Sequence, residues 1–381
     1  MRGVDFRLRA LAAIFAGFVV CLNAVPAAAQ SAARAATPPT KSSKPAAKPA
    51  AKKRAPVRSR WGVPTYADPT ANDIAEFDDP VVRAAAVDAL GRRNGSVVAV
   101  DPNSGRILAI VNQQLAFSAG FQPCSTIKPV IGLAALEEGV INRDTMIKVA
   151  PRRFLNLTEA MAHSNNKFFE TIGAKMGFDT VSRYAHLLGL GEQAGHDIFE
   201  EHPGVFPTEP PAFGGVARMS SFGEGIQITP LQMASLISTL ANGGTVYYLQ
   251  YPRSEEARRD FQPLVKRKLD IAEWLPDLRE GMLAAVLYGT GRASFDGEGD
   301  QLLGKTGTCS AQGSRLGWFG SYSDQLKPKL VLVVLLRGRS SIVNGPTAAE
   351  IAGRVYQRLR EQQYFASDHR SQSLAQSGNN P

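Results

Sequence analysis

Strand-forming runs stand at both ends of one long stretch of this chain, and the residues between them are mostly helical in pattern. The runs are rich in Val, Ile, Leu and aromatic residues, and Asp101-Pro102-Asn103-Ser104-Gly105 between the first two has the composition of a turn. The five predicted strands are residues 96–100, 107–111, 302–309, 316–322 and 330–336. We expect these distant runs to meet in a single antiparallel five-stranded sheet.

Apolar positions at helical spacing predict a helix on each side of these strands and several more in the middle. The flanking helices are residues 80–93, ended by Asn94-Gly95, and residues 346–364. The predicted inner helices are residues 125–138, 157–176 with breaks, 180–188, 230–242 and 275–287. The fold class is therefore α+β, a sheet flanked by N- and C-terminal helices with a mostly helical inserted subdomain.

Residues 1–29 have the pattern of a secretory signal peptide. Three arginines precede an apolar run over residues 10–22, and Ala27-Ala28-Ala29 offers a small-residue cleavage site. An uncleaved anchor is the alternative, but the run is shorter than the roughly 20 residues that span a bilayer. We expect an exported protein of the periplasm or cell envelope.

Residues 30–60 form a basic segment with nine Lys or Arg residues and no Asp or Glu. Its Ala, Pro, Ser, Lys and Arg cannot bury a core, so it is predicted to be a disordered linker. It accounts for the net charge of +9, since residues 61–381 carry −2. The basic charge lies on a tail rather than on a fold, which excludes a nucleic-acid-binding interpretation. Weak contact with an anionic envelope or membrane surface is the alternative to a plain tether.

Three short strings within the predicted folded domain, residues 61–366, occur in a fixed order. They are Ser125-Thr126-Ile127-Lys128, Ser164-Asn165-Asn166 and Lys305-Thr306-Gly307-Thr308. A serine hydroxyl is a poor nucleophile until a base removes its proton, and a lysine kept neutral by burial can be that base. Residues i and i+3 share a helix face, so Ser125 and Lys128 are predicted to be in contact at a helix start, where partial positive charge favours an oxyanion.

The second string is interpreted as the proton relay. Ser164 would return a proton to the leaving group, and Asn166 would hold Lys128 or a substrate amide. Taken alone, these residues would be an ordinary polar turn of a helix. The fixed order of the three strings favours the functional interpretation.

The third string falls on a predicted strand. There Lys305 and the hydroxyls of Thr306 and Thr308 could bind a carboxylate, and Gly307 would let a ligand backbone come close. The backbone amides of Ser125 and Thr308 are the predicted oxyanion hole. Together the strings predict acyl transfer to serine, with no metal or cofactor. Residues 367–381 are predicted to be a disordered tail.

The chain resembles the transpeptidase domain of penicillin-binding proteins over roughly residues 84–363. Beyond the three strings, the resemblance rests on residues 97–102 with Gly105, Pro123, residues 228–234 with 242–244, and Trp318-Phe319. It implies a transpeptidase-like catalytic domain that crosslinks peptidoglycan stem peptides and is acylated by β-lactam antibiotics.

The same resemblance implies a role for each string. Ser125 is acylated by the penultimate D-alanine of a stem peptide, and Lys128 is the base. Ser164 and Asn166 assist proton transfer, and Lys305 to Thr308 bind the terminal carboxylate. An amine of a second stem peptide then resolves the acyl-enzyme; the resemblance identifies no protein partner.

Two features depart from the family pattern. Only residues 61–83 precede the first matching helix, which implies a minimal catalytic domain without a glycosyltransferase domain. Cys124 and Cys309 stand where the family usually has Gly and Ala, and would flank the oxyanion hole. A disulfide there, similar to that of some carbapenem-hydrolysing class A β-lactamases, would add about 4 kcal/mol. Two separate buried thiols are the alternative.

Other functions use much of the same site. A serine β-lactamase or β-lactam sensor shares the acylation residues, but no Glu-x-x-Leu-Asn lies between the second and third strings as class A requires. Class D enzymes have an apolar residue where Asn166 stands. A D,D-carboxypeptidase or endopeptidase differs only in the acceptor. A silent cell-wall scaffold is disfavoured, because every catalytic position is filled.

Overall fold

A seven-stranded sheet is the centre of the computed structural model, which describes residues 62–117, 120–295, 297 and 301–365. The strands are β1 (Gly95–Asp101), β2 (Arg106–Val111), β3 (Ile147–Ala150), β4 (Arg153–Leu155), β5 (Gly195–His196), β6 (Thr245–Tyr247), β7 (Leu249–Gln250), β8 (Val265–Lys268), β9 (Leu302–Ala311), β10 (Ser314–Ser323) and β11 (Val331–Gly338). The main sheet has the order β5-β7-β2-β1-β11-β10-β9, while β3-β4 and β6-β8 form two small hairpin sheets.

The five long strands of the main sheet pair antiparallel. β1 lies between β2 and β11, with Val98 opposite Ile110 on one side and Val333 on the other. β10 lies between β11 and β9, with Trp318 opposite Gly307. The strands from the two ends of the folded region therefore meet in one sheet, as the sequence predicts.

The predicted five-stranded, wholly antiparallel sheet is wrong in strand number and in direction. β7 adds to β2 and β5 adds to β7, both in parallel, with Arg106 opposite Gln250 and Gly195 opposite Leu249. Each added strand is two residues long, too short for an alternating pattern to show in the sequence. The two segments cover the edge of β2, whose backbone groups would otherwise lack partners.

Helices cover both faces of the sheet. They are α1 (Pro80–Leu90), α2 (Gln113–Phe117), α3 (Lys128–Glu137), α4 (Leu157–Ala162), α5 (Asn166–Leu187), α6 (Gly215–Phe222), α7 (Pro230–Asn242), α8 (Glu255–Arg259), α9 (Leu275–Leu287) and α10 (Gly345–Glu361). Alternate strand residues face opposite layers. Phe319 and Val334 pack in the core with α1 and α10, whereas Trp318 and Val333 face the core of the helical subdomain.

Three helix boundaries differ from the sequence prediction for local reasons. α1 ends at Leu90 rather than residue 93, because Gly91 takes a left-handed φ of 57°. The helix predicted from Ser125 begins with a 3₁₀ turn, Cys124–Ile127, before α3. α5 runs through the predicted gap after residue 176 with a break at Gly177, where φ is 80° and ψ is 172°.

The predicted signal peptide, basic linker and C-terminal tail lie outside the described residues, so these predictions stay predictions. None of the described helices combines the length and apolar character needed to cross a bilayer.

The start of α7 is fixed by a capping box beneath the main sheet. Thr229 Oγ1 accepts from the amide of Gln232 at 3.0 Å, and Gln232 Oε1 accepts from the amide of Thr229 at 2.8 Å. Thr229 Oγ1 also donates to the buried carboxylate of Glu201 at 3.1 Å. The Thr229 hydroxyl therefore accepts a hydrogen bond from a backbone amide at the start of α7 and donates one to a buried carboxylate.

Replacing Thr229 with Ala should lower the free energy of unfolding by about 2 kcal/mol or more, because both interactions are lost and Glu201 loses a donor. Urea unfolding followed by circular dichroism measures this. The control is Thr229→Ser, which keeps the hydroxyl and should lose no more than about 1 kcal/mol for one buried methyl group. Equal losses in the two variants would contradict the role of the hydroxyl.

Candidate active site

Ser125 lies in the tight turn that leads into α3. The 3₁₀ turn Cys124–Ile127 runs directly into α3, and the amide of Lys128 donates to the Ser125 carbonyl. Pro129 lies within the first turn of α3, where its missing N–H breaks no helical bond. This local structure brings Lys128 Nζ to 3.0 Å from Ser125 Oγ, as the i, i+3 spacing predicts.

The amine of Lys128 is fully buried and surrounded by oxygen atoms. Besides Ser125 Oγ, it contacts the Ser164 carbonyl oxygen at 2.6 Å, Ser164 Oγ at 3.0 Å and Asn166 Oδ1 at 2.7 Å. A neutral amine has two N–H donors and one lone pair. The carbonyl and the amide oxygen can only accept, so they take both N–H bonds and leave the lone pair for a hydroxyl proton.

Burial lowers the pKa of Lys128 well below its usual range, and the charge of Lys305 lowers it further. The carboxylate of Glu170 acts in the opposite direction. The structure thus supplies what the sequence argument requires of the base, an amine whose burial favours the neutral form.

The second string joins α4 to α5. Ser164 has a positive φ of 53°, and the Asn165 side chain caps α5 by accepting from the amide of Phe168 at 3.0 Å. This turn points both the carbonyl and the hydroxyl of Ser164 at Lys128, with Asn166 beside them. The structure therefore brings Ser125, Lys128, Ser164 and Asn166 together, and the catalytic roles assigned to them stay predictions.

Alternate residues of β9 face the two layers of the fold. Gly307 faces the nucleophile turn: a Cβ atom there would lie 2.8 Å from the Pro123 carbonyl oxygen and 3.1 Å from Thr126 Cγ2. A side chain at this position would push the strand away from the serine. The glycine thus has a packing role, and its contact with a ligand backbone stays a prediction.

Lys305 is fully buried, and its Nζ donates to the Thr306 carbonyl oxygen at 3.0 Å. Burial lowers its pKa from 10.5 to about 7. Near neutral pH it is therefore only partly charged, and a carboxylate bound beside it would favour its charged form. The predicted clamp by Lys305 stays a prediction.

The two threonine hydroxyls of the third string already have protein partners. Thr306 Oγ1 shares a hydrogen bond of 2.6 Å with Thr290 Oγ1. Thr308 Oγ1 accepts from the amide of Gly345, the first residue of α10, at 2.7 Å. Thr306 is buried, whereas Thr308 is exposed and remains open to a ligand. The oxyanion role of the Ser125 and Thr308 amides stays a prediction.

A disulfide joins Cys124 to Cys309, with 5.6 Å between the Cα atoms and 185 residues of separation. The expected bridge is thus present, rather than two separate thiols. It ties the residue before the nucleophile to the residue after Thr308. Cys124 has a left-handed φ of 54°, a conformation that favours glycine. The bridge therefore holds an unfavourable backbone conformation directly before the nucleophile.

Glu170 is a charged residue of the site that the sequence argument missed. It lies one turn beyond Asn166 on α5, and its Oε1 accepts from Ser221 Oγ of α6 at 3.4 Å. Its i+4 spacing from Asn166 is the signal that could have found it. Across the described ranges, no three or more His, Cys, Asp or Glu residues gather as a metal site would need.

A model of the penicillin binding protein transpeptidase domain matches residues 95–357. The chain therefore belongs to this family. Its main sheet, flanking helices and helical subdomain are those of a mixed α+β fold like other such domains.

Curated relatives are similar over part of their length. Stage V sporulation protein D of Bacillus subtilis is 26% identical over 310 residues, which cover 68% of this chain and 48% of that protein. Peptidoglycan D,D-transpeptidase MrdA of Acinetobacter baumannii is 25% identical over 371 residues, 76% of this chain and 54% of that protein. The chain spans about half the length of these relatives.

A solved structure is similar in fold. The TP domain from Burkholderia pseudomallei penicillin-binding protein 3 has a TM-score of 0.64 and 17% sequence identity, covering 74% of this chain and 94% of that one.

Replacing Lys305 with Met should stabilise the fold while impairing the site. The pKa of Lys305 is lowered on folding, so the unfolded chain binds more protons between pH 7 and 10.5 and stability rises with pH in that window. Lys305→Met should raise the free energy of unfolding at pH 7 by on the order of 2–4 kcal/mol, which moves the urea midpoint to higher concentration. The rise of stability between pH 7 and pH 10 should be flatter in this variant than in wild type. Lys268→Met, exposed at the end of β8, is the control and should change neither quantity. Loss of stability in Lys305→Met would contradict the burial argument.

Removing the disulfide should slow acylation of Ser125, and the effect should depend on the residue left at position 124. The double variant Cys124→Gly with Cys309→Ala loses the crosslink, about 2–4 kcal/mol of stability, but glycine accepts a φ of 54°. Cys124→Ala with Cys309→Ala additionally carries a backbone cost of about 1 kcal/mol.

Stopped-flow acylation by a fluorescent penicillin, with thermal unfolding of the same samples, compares the variants. We expect both the acylation rate and the unfolding temperature to fall from wild type to the Gly variant and again to the Ala variant. Identical rates in all three proteins would show that the bridge does not position the nucleophile.

Proposed function

We propose that the chain is a peptidoglycan D,D-transpeptidase that crosslinks stem peptides through an acyl-enzyme on Ser125. The observation that carries the proposal is the 3.0 Å contact between Ser125 Oγ and the buried amine of Lys128. A serine activated by an adjacent neutral amine is the arrangement of acyl-transfer enzymes. Family membership, and a relative named peptidoglycan D,D-transpeptidase, support the substrate class.

In the acylation step, Lys128 takes the Ser125 proton as Oγ bonds to the carbonyl carbon of the penultimate D-alanine. The amides of Ser125 and Thr308 stabilise the oxyanion. Ser164, 3.0 Å from Lys128 Nζ, passes a proton to the departing D-alanine nitrogen and recovers one from Lys128. The base is then neutral again.

In the second step, an amine of another stem peptide attacks the Ser125 ester. Lys128 accepts the amine proton, and the serine oxygen leaves with a proton returned by the same relay. A β-lactam acylates Ser125 by the same attack, but its ring opens and the leaving nitrogen stays attached. β-Lactams are therefore expected to be covalent inhibitors.

The edge of β9 is suited to an extended peptide. β9 is the last strand of the main sheet as described, so its outer backbone groups can pair with an added strand. A peptide bound there would bring its terminal carboxylate to the third string. The exposed Thr308 could donate its hydroxyl to this anion, and the positive charge of protonated Lys305 would attract it.

We place the protein outside the cytoplasm, in the periplasm or cell envelope, on the signal pattern of residues 1–29. A disulfide beside the nucleophile supports an oxidising compartment. The basic segment over residues 30–60 would tether the domain and could touch anionic envelope surfaces weakly. A carboxypeptidase or endopeptidase would hydrolyse stem peptides through the same acyl-enzyme. It differs from a transpeptidase in the acceptor, which is water rather than an amine.

The proposal predicts that a fluorescent penicillin labels the wild-type protein covalently and that Ser125→Ala abolishes the label. Peptide mass mapping should place the adduct on Ser125. The control is Ser310→Ala, an exposed residue of β9, which should be labelled at the wild-type rate. Labelling that survives in Ser125→Ala would refute the nucleophile.

Two further readouts separate the related activities. A long-lived adduct supports the transpeptidase, whereas rapid loss of the label with turnover of penicillin would support a β-lactamase. With a stem peptide ending in D-Ala-D-Ala and an amine acceptor, the amide product supports crosslinking. Release of D-alanine with hydrolysed product alone would support a carboxypeptidase.

A further inference from the structure

Glu170 shares a helix face with one of the groups that hold the catalytic amine. Asn166, whose Oδ1 lies 2.7 Å from Lys128 Nζ, is four residues before it on α5, and residues i and i+4 are neighbours on a helix. Phe169, the residue before Glu170, has its ring centroid 5.4 Å from Lys128 Nζ. This turn of α5 therefore lines one side of the lysine.

The close packing of α6 on α5 fixes this turn. A Cβ atom at Gly173 would lie 2.0 Å from Ser220 Oγ, so the two helices touch through a position where only glycine fits. The next residue, Ser221, donates its hydroxyl to Glu170 Oε1 at 3.4 Å. Glu170 is thus held from a second element in a half-buried position.

Two charged groups shift the pKa of Lys128 in opposite directions: Lys305 of β9 lowers it and Glu170 of α5 raises it. Lys167, Lys175, Asp179 and His186 of α5, Glu137 of α3 and Lys148 of β3 are exposed. The other charged groups on elements packed against α3 and α5 are in ion pairs: Arg218 with Glu224, His163 with Glu159, Arg183 with Glu138, Asp277 and Glu280 with Arg143, and Arg279 with Asp324. Glu170 is therefore the carboxylate placed to act on the lysine.

The reaction requires two charge states of the same lysine. Before acylation the amine must be neutral, and after it has taken the serine proton it must be a stable ammonium until Ser164 removes that proton. Burial and Lys305 favour only the first state. A base that is too weak would not remove a serine proton at all, so a nearby negative charge is needed for the second state.

We propose that Glu170 is a positioning residue of the acylation reaction, whose carboxylate stabilises the ammonium form of Lys128 after proton transfer from Ser125. Glu170 takes up no proton: the Oγ–H bond breaks, an N–H bond forms on Lys128, and Oγ bonds to the acyl carbon. This role rests on the proposed function.

The test is the pH dependence of acylation by a fluorescent penicillin in wild type, Glu170→Gln and Glu170→Asp. Glutamine keeps an acceptor for Ser221 but removes the charge, so the acidic limb of the profile should move to lower pH by about half a unit or more. The plateau rate should fall up to about tenfold, because Lys128 becomes a weaker base. Glu170→Asp keeps the charge and should keep the limb near that of wild type.

The matched control is Asp179→Asn, a carboxylate on the far part of the same helix, which should leave the profile unchanged. The role of Glu170 would be overturned if the acidic limb of the pH profile stays in place or moves to higher pH in Glu170→Gln. It would also be overturned if Glu170→Gln changes only the lifetime of the penicillin adduct. An equal shift of the limb in Glu170→Asp would show that the effect comes from the structure around Glu170 and not from its charge. Absence of labelling in wild type would instead overturn the proposed function, and this role with it.

Discussion

The site depends on the buried amine of Lys128, whose two N–H groups are hydrogen-bonded in its neutral form and whose lone pair remains available to a hydroxyl proton. The Ser164 carbonyl and Asn166 Oδ1 can only accept, so they occupy the two N–H bonds of neutral Lys128. The lone pair then faces hydroxyl protons, including that of Ser125 at 3.0 Å. Two segments must meet to build this arrangement, the turn before α3 and the junction of α4 with α5, and both contain a residue with a positive φ.

A second constraint holds the sheet against that amine. Gly307 lets β9 approach the turn before Ser125, and the bond between Cys124 and Cys309 locks the same contact covalently. Gly307 permits the strand and the turn to approach closely, whereas the disulfide prevents them from separating. Cys124 is held at a φ of 54°, where a residue with a side chain is uncommon. The crosslink therefore holds a backbone conformation that favours glycine, and it adds rigidity.

Features that leave a pattern in a short stretch of sequence, or in the order of several motifs, could be predicted from the sequence. The i, i+3 spacing placed Lys128 beside Ser125, and the five long strands were found by composition. The two added parallel strands could not, because pairs such as Gly195–His196 carry no periodicity and are defined only by the edge they cover. Glu170 was missed because its partner Ser221 is 51 residues away and belongs to another helix.

The two buried lysines make the charge of the site depend on its ligand. Lys305 is only partly protonated near pH 7, since burial lowers its pKa to about 7. An arriving carboxylate would raise that pKa and complete the charge. The negative charge of the bound carboxylate would offset the positive charge that Lys305 gains, so the pair would act on Lys128 less strongly than either charge alone. Burial would then remain the main cause that favours neutral Lys128, while Glu170 favours the ammonium form once the proton has been taken.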